Sequence, residues 1–355
     1  MDPVLRDILS EPSVVAETLT EGKSRLPALT ERLAGLPLTQ VYAVGAGSSN
    51  FVGLAARYVL EAWAGLPILP LSSTDFERYA VEAANATSLV LAISQSGETV
   101  ETLAAVEEAK RRGLPTVALT NNAQSRMARL CDGLILMRAG QEEGPGTKTV
   151  TAQCVAVYQF GLWLARGRRP ERGKSVAATL AELDQAPGLL SQMLSGSTAE
   201  ATEQLARFIA TRNHLYMVGG GPLSALAFQV ANILRETGKL HCYPFEAVEF
   251  RHGPLEVLSA GSTLLAFFSG ASRSLKETRR ACDVAKQAGV SLIYVGDRSG
   301  DPGEDWAERL LLPEMSEGLA AQLYLAPLQL ASYHVAKVKG LDPNSFVNIV
   351  KTWTA

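Results

Sequence analysis

Val41-Tyr-Ala-Val-Gly-Ala-Gly47 returns as Leu215-Tyr-Met-Val-Gly-Gly-Gly221, an offset of 174 from Tyr42 to Tyr216. Each stretch is an apolar run that breaks into glycines, the pattern of a buried strand ending in a tight turn. The register then holds. At the same spacing Pro70 answers Pro244, Asp75 answers Glu249, Phe76 answers Phe250, and Leu91-Ala92 answers Leu265-Ala266. Further on, Ala109-Lys110 with Gly113 answers Ala285-Lys286 with Gly289 at an offset of 176. Agreement over this length points to a duplicated unit.

In the first copy, apolar strand-like runs at Val41 to Val44, Ile68 to Leu71, Leu89 to Ile93, Thr116 to Leu119 and Gly133 to Met137 alternate with helix-patterned runs. The latter fall near residues 50–64, 76–83, 98–112 and 149–165. Continuous Val/Ile/Leu strands between helices predict a parallel sheet covered on both faces. The fold class expected is therefore α/β, with two tandem doubly wound parallel sheets. At 355 residues the chain is long enough for two such domains. Arg166 to Lys174, rich in Arg and Gly, is the candidate linker, and a helical region from about Ser175 to Thr211 leads into the second copy.

With 47% hydrophobic and 19% charged residues the composition is that of a globular protein, and no apolar run reaches the ~18 residues of a membrane span. The start, Met1-Asp-Pro-Val-Leu-Arg-Asp7, lacks a basic-then-apolar leader, so a cytoplasmic location is expected. A net charge of −3 offers no general attraction to nucleic acid or an anionic membrane. Cys131, Cys154, Cys242 and Cys282 are scattered without CxxC spacing, which fits reduced core thiols better than disulfides or zinc. His214, His241, His252 and His334 show no metal-site spacing on one helix, and no metal or other cofactor is expected.

The chemistry concentrates in Leu91-Ala-Ile-Ser-Gln-Ser-Gly-Glu-Thr99. Ser94, Gln95, Ser96, Gly97 and Thr99 offer short donors and backbone N–H groups where a helix begins and its dipole favours an anion. A phosphorylated small molecule is the ligand this pattern suits. The same residues also allow an ordinary strand-to-helix loop with Thr99 or Ser96 as a helix cap. Gly45 to Asn50 is a second strand-to-helix loop, and in open parallel sheets such loops meet at the carboxyl ends of the strands. It is no dinucleotide motif, because Asn50 stands where the third glycine would be and no acidic residue follows the strand at Leu71.

With both loops and the repeat in view, the chain resembles the double sugar-isomerase (SIS) domain family, in particular the isomerase half of glutamine:fructose-6-phosphate amidotransferases and their stand-alone relatives. The likeness runs through Leu5-Arg-Asp-Ile-Leu-Ser-Glu-Pro12, Gly47-Ser-Ser49, Ser94 to Thr99, Thr147-Lys148, Glu236, Glu249-Phe-Arg-His-Gly-Pro254, Pro327-Leu-Gln-Leu-Ala-Ser-Tyr-His334 and Ile349-Val-Lys351. It implies two flavodoxin-like SIS domains: residues 1–170 with an N-terminal helix and the phosphosugar loops, and residues 175–355 with a C-terminal tail that covers the site. It further implies that Ser49, Ser94, Gln95, Ser96 and Thr99 hold a sugar phosphate and that Glu236 moves a proton between C1 and C2 of the open-chain sugar. His252, sixteen residues beyond Glu236, would assist ring opening in the site of a neighbouring subunit of a homodimer. Lys351 would cover the site and contact the sugar. The chain starts at the isomerase half, without a glutaminase domain, so ammonia is not expected to come from glutamine.

Two departures bear on the reaction. The family synthase has a lysine three residues before its catalytic glutamate where this chain has Ile233, and the Glu142 to Lys148 loop is one residue shorter than the synthase pattern. The reaction expected is a phosphosugar isomerase/deaminase step on an amino sugar phosphate: glucosamine-6-phosphate to fructose-6-phosphate and ammonia, or the reverse. The alternatives are a fructosamine-6-phosphate deglycase and a non-catalytic phosphosugar-binding regulator. The sequence offers no helix-turn-helix segment for the last of these. The second copy's loops, Gly219 to Ser224 and Phe268 to Ser272, are poorer in hydroxyls, so one catalytic site per chain is expected.

Overall fold

The computed structural model describes residues 1–303 and 305–349. Two five-stranded, all-parallel sheets carry the fold. The first contains β1 (Gln40–Gly45), β2 (Ile68–Ser72), β3 (Ser88–Ile93), β4 (Thr116–Thr120) and β5 (Gly133–Leu136), in the order β2-β1-β3-β4-β5. The second contains β6 (His214–Gly219), β7 (His241–Glu246), β8 (Thr263–Phe268), β9 (Ser291–Gly296) and β10 (Glu308–Leu311), in the order β7-β6-β8-β9-β10. Both are therefore the doubly wound α/β arrangement that the strand pattern predicts.

The duplication extends to hydrogen-bond register. Ala43 faces Pro70 on one side and Leu91 on the other. Met217 faces Pro244 and Leu265 in the same way. Phe76 and Phe250, matched in the sequence, are both fully buried in the cores beside their sheets. Burial of one such side chain is worth about 2–3 kcal/mol.

Contacts divide the described chain into two compact units, one of Met1–Leu9, Glu143–Thr147 and Gly188–Asn348, the other of Ser10–Glu142 and Lys148–Pro187 with Ile349. In the latter, Phe76, Leu103, Val106 and Ala109 from the helices Ser73–Arg78 and Val100–Arg111 pack on one face of the sheet with Val44, Val90 and Ala92. The helices Glu11–Ala34, Ser48–Val59 and Lys148–Arg168 pack together elsewhere in that unit.

The helical run expected near residues 76–83 breaks at Tyr79, whose φ of −129° leaves the helical region, and resumes as a 3-10 turn at Ala80–Ala83. The Arg-rich stretch is ordered: the helix Lys148–Arg168 runs into it, Pro170–Arg172 forms a 3-10 turn, and the Arg168 guanidinium donates to the Leu38 carbonyl at 3.0 Å. All four cysteines are free thiols. Burial pushes Cys131, Cys154 and Cys242 up to about 12, which keeps them protonated and unreactive. Among the described residues no helix is long and apolar enough to cross a membrane.

Glu11 is a fully buried carboxyl in the first turn of the helix Glu11–Ala34. Burial raises its pKa well above 4.5; the Thr151 hydroxyl opposes the shift and the like charge of Glu142 adds to it. The unfolded chain ionises Glu11 near 4.5, so stability is full below that pH and is lost as pH rises through the raised folded value. Each unit of elevation costs about 1.4 kcal/mol once the pH lies above both values. Glu11→Gln removes this loss. Urea unfolding should show the variant's advantage over wild type growing as pH rises above 4.5.

Candidate functional site

β1 and β3 are hydrogen-bonded neighbours, and the last residues of their ladder, Gly45 and Ile93, face each other. Strand order reverses at this point, because β2 lies on the far side of β1. The two loops singled out in the sequence, Ala46-Gly47 before the helix Ser48–Val59 and Ser94 to Thr99 before the helix Val100–Arg111, thus leave adjacent strand ends. Such a reversal opens a crevice for ligand. Gly45 is required by close approach: a Cβ there would stand 2.9 Å from the backbone carbon of Ser49.

The loop after β3 is built from its own polar groups. Ser94 N–H donates to the Leu119 carbonyl at 3.1 Å, prolonging the strand pairing by one residue. The Gln95 carbonyl accepts from Asn121 N–H at 3.0 Å and from the Thr120 hydroxyl at 3.1 Å. Ser94 Oγ accepts from Gly97 N–H at 3.1 Å and bonds Thr99 Oγ1 at 2.9 Å, while Ser96 Oγ accepts from Glu98 N–H at 3.2 Å. Ser94 is buried; Gln95, Ser96 and Thr99 are half-buried.

Thr99 occupies the cap position of the helix Val100–Arg111, yet its side chain makes no capping bond. The plain capping reading therefore fails, because the Thr99 hydroxyl is engaged with Ser94. The first-turn N–H groups of a helix without a side-chain cap are the donors that an anion satisfies.

Ser49 lies in the first turn after β1, and its hydroxyl accepts from the Gln153 amide at 3.2 Å. Gln153 is 1% exposed, a buried amide in the first half of the helix Lys148–Arg168, whose buried face is largely apolar. Sequence reading missed it; the signal was a long polar side chain on a face that should be apolar. Asn50, noted only as a missing glycine, carries a buried amide oxygen without a hydrogen-bond donor among the described residues. An acceptor left in that state costs about 1–3 kcal/mol, which a donor on a ligand can recover. Glu142 accepts from Thr149 N–H at 3.1 Å, so the shortened loop ends by capping the helix that carries Gln153.

Glu236 and His252 belong to the unit of the second sheet. Glu236 is half-buried in the last turn of the helix Pro222–Gly238, and its carboxylate accepts from the Asn232 amide at 3.0 Å. A carboxylate at a helix C-terminus opposes the dipole. Lysines offset it: Lys239 Nζ donates to the Glu236 and Ser345 carbonyls, and Lys339 Nζ donates to the Gly238 carbonyl at 2.7 Å. Lys239 itself, with φ of 50°, is the one non-glycine residue at positive φ among the described residues. His252 is exposed on the turn between the 3-10 segments Glu249–Arg251 and Pro254–Val257. The helix bearing Glu236 ends where β7 begins, and His252 follows the end of β7. Lys351 lies outside the described residues.

Two doubly wound parallel sheets in tandem, the first with a hydroxyl-rich loop at its reversal point, define a duplicated α/β protein. The chain belongs to the SIS domain family, whose profile matches residues 39–162 and 208–339. It is 32% identical over 359 aligned residues to a glutamine--fructose-6-phosphate aminotransferase [isomerizing] of Gloeobacter violaceus, covering 99% of this chain and 58% of that protein. The chain thus spans little more than half the length of that relative. The C-terminal domain of glucosamine-fructose-6-phosphate aminotransferase from Francisella tularensis superposes with a TM-score of 0.87 at 24% identity, covering 96% of this chain and 97% of that one. Glucosamine-6-phosphate deaminase from Thermotoga maritima superposes with a TM-score of 0.77 at 18% identity, covering 99% and 100%. Both structural likenesses concern the fold.

Gly97 is the conformational keystone of the cradle. Its φ of 68° disfavours a side chain, and a Cβ would stand 2.2 Å from Ser125 Oγ. Gly97→Ala should cost about 2 kcal/mol or more, from left-handed strain plus displacement of Ser125. Chemical denaturation measures the loss, and affinity for inorganic phosphate should fall with it.

Proposed function

We propose that the chain is an aldose–ketose type phosphosugar enzyme acting on an amino sugar phosphate, converting glucosamine-6-phosphate to fructose-6-phosphate and ammonia or running the reverse. The observation that carries this reading is the helix Val100–Arg111, uncapped by any side chain, starting at the strand-order reversal beside the hydroxyls of Ser94, Ser96 and Thr99. A phosphate monoester there gains backbone N–H donors, the helix dipole and several hydroxyls, with Ser49 at the neighbouring strand end. Similarity to an aminotransferase named for fructose-6-phosphate supports a sugar phosphate that carries nitrogen.

The chemistry needs no metal or redox cofactor. In the open-chain amino sugar, the Glu236 carboxylate takes the proton from C2 and returns it to C1, turning the aldehyde into a hydroxymethyl group and the C2 amine into an imine. Water then adds to the imine carbon and ammonia leaves. His252 is assigned to ring opening in the site of a second copy. Lys351 is assigned to cover the sugar. Ile233, buried three residues before Glu236 where the family synthase has lysine, favours a second reading in which a substituted amine is accepted, a fructosamine-6-phosphate deglycase.

Purified protein should release ammonia and fructose-6-phosphate from glucosamine-6-phosphate. Glu236→Gln should lower kcat by about 10²–10⁴. Ser96→Ala should raise KM by roughly 10-fold or more, the worth of one hydrogen bond to a charged group. Release of an amino acid from a fructosamine phosphate instead would select the deglycase. Phosphosugar binding without turnover of any of these substrates would select a regulator.

A shared site makes a further demand. Inactive Glu236→Gln and inactive His252→Ala chains, mixed and shown by mass to form hybrids, should recover part of the wild-type rate. Hybrids that stay inactive would confine His252 to its own subunit.

A further inference from the structure

The second sheet repeats the strand order of the first, so it has its own reversal point, between β6 and β8. The loops there are Gly220-Gly221, before the helix Pro222–Gly238, and Ser269 to Ser274, before the helix Leu275–Gln287. They match, in the fold and in the repeat, the loops that hold Ser49 and Ser94 to Thr99. Ala271 N–H and Ser274 N–H donate to the loop's own hydroxyls, of Ser269 at 3.3 Å and Ser272 at 3.2 Å, but three further donors are engaged by the chain's own acids. Ser272 Oγ donates to Glu317 Oε1 at 2.7 Å, and Arg273 N–H donates to the same oxygen at 3.3 Å. Gly270 N–H donates to both oxygens of Asp297, at 3.0 and 3.2 Å.

The Glu317 carboxylate lies where the two loops converge. A Cβ added to Gly221 would stand 3.3 Å from Glu317 Oε1 and 3.5 Å from Ser274 Oγ. In the first unit the corresponding hydroxyls of Ser94, Ser96 and Thr99 bond one another and the loop backbone, with no acid on them among the described residues.

We propose that the second reversal point is an anion cradle of the phosphate type whose resident ligand is the Glu317 carboxylate, and that it takes up inorganic phosphate when that carboxylate is removed. The two acids are not equivalent. Asp297 is 1% exposed and also accepts from Gly300 N–H at 2.9 Å and the Ser299 hydroxyl at 2.8 Å, so it belongs to the frame of the loop. Glu317 is half-buried and reaches in from the start of the helix Glu317–Leu323, outside the loops it occupies. It supplies the charge that the donors would otherwise draw from solution. One chain thereby carries two cradles of common descent, one open to a ligand and one closed from within.

The test is calorimetric titration of the full chain with inorganic phosphate, on wild type and on Glu317→Ala and Glu317→Ser. Each variant should bind one more phosphate per chain than wild type and gain more melting temperature from phosphate than wild type does. Adding Ser272→Ala to Glu317→Ala should abolish the extra phosphate. An unchanged stoichiometry in both variants overturns the proposal, as does an extra phosphate that survives the loss of Ser272. The choice of probe rests on reading Ser94 to Thr99 as a phosphate cradle, but the outcomes separate. The wild-type stoichiometry tests the first cradle, whereas the excess in the variants tests the second.

Discussion

Because β2 leaves β1 on one side while β3 pairs with it on the other, the helices that follow β1 and β3 cannot both close over the gap between the two strand ends. Everything chemical in the first unit depends on that gap. It sets Ser49 beside Ser94 to Thr99 although 45 residues separate the two serines in the chain. It also aims the first turn of the helix Val100–Arg111 at whatever enters. The cost is local: Gly45 must have no side chain, Gly97 must sit in the left-handed region, and Thr99 must use its hydroxyl on Ser94 instead of capping its own helix.

The same constraint acts in the second sheet with a different chemical outcome. Strand order and register are retained, and Phe250 fills the core place that Phe76 fills in the first. The loops at the reversal are retained as loops, but three of their donors, Gly270 N–H, the Ser272 hydroxyl and Arg273 N–H, serve Asp297 and Glu317. Packing and recognition are therefore separable in this architecture. A unit can keep the apolar register that makes a doubly wound sheet while the polar atoms at its rim change partners, because a rim hydrogen bond carries about 1 kcal/mol against the far larger sum from the core.

Much of this was legible in the sequence because it follows from short-range pattern. Buried parallel strands read as unbroken Val/Ile/Leu runs, and the repeat at Tyr42 and Tyr216 announced a duplicated sheet before any strand was paired. The serine-rich stretch read as a strand-to-helix loop, and the structure places Ser94 to Thr99 between β3 and the helix Val100–Arg111. What remained hidden depends on contacts between distant segments. Gln153 reaches Ser49 across 104 residues, and Glu317 reaches Ser272 across 45. Neither pairing has a local signature. The break at Tyr79 was missed for a related reason, since the apolar period runs on through a residue whose backbone leaves the helix.

Lys239 joins two segments that would otherwise be independent. Its left-handed backbone turns the chain out of the helix Pro222–Gly238, and its ammonium clasps the Glu236 carbonyl with one hydrogen bond and the Ser345 carbonyl with another. Ser345 lies only a few residues before the end of the described chain. Any shift of the tail that withdraws the Ser345 carbonyl leaves the ammonium to re-pair, and the turn bearing Glu236 loses one of the clamps that offset its unfavourable charge. The placement of the carboxylate is thus mechanically linked to the course of the chain at Ser345, through a cation that bonds the backbone of both segments.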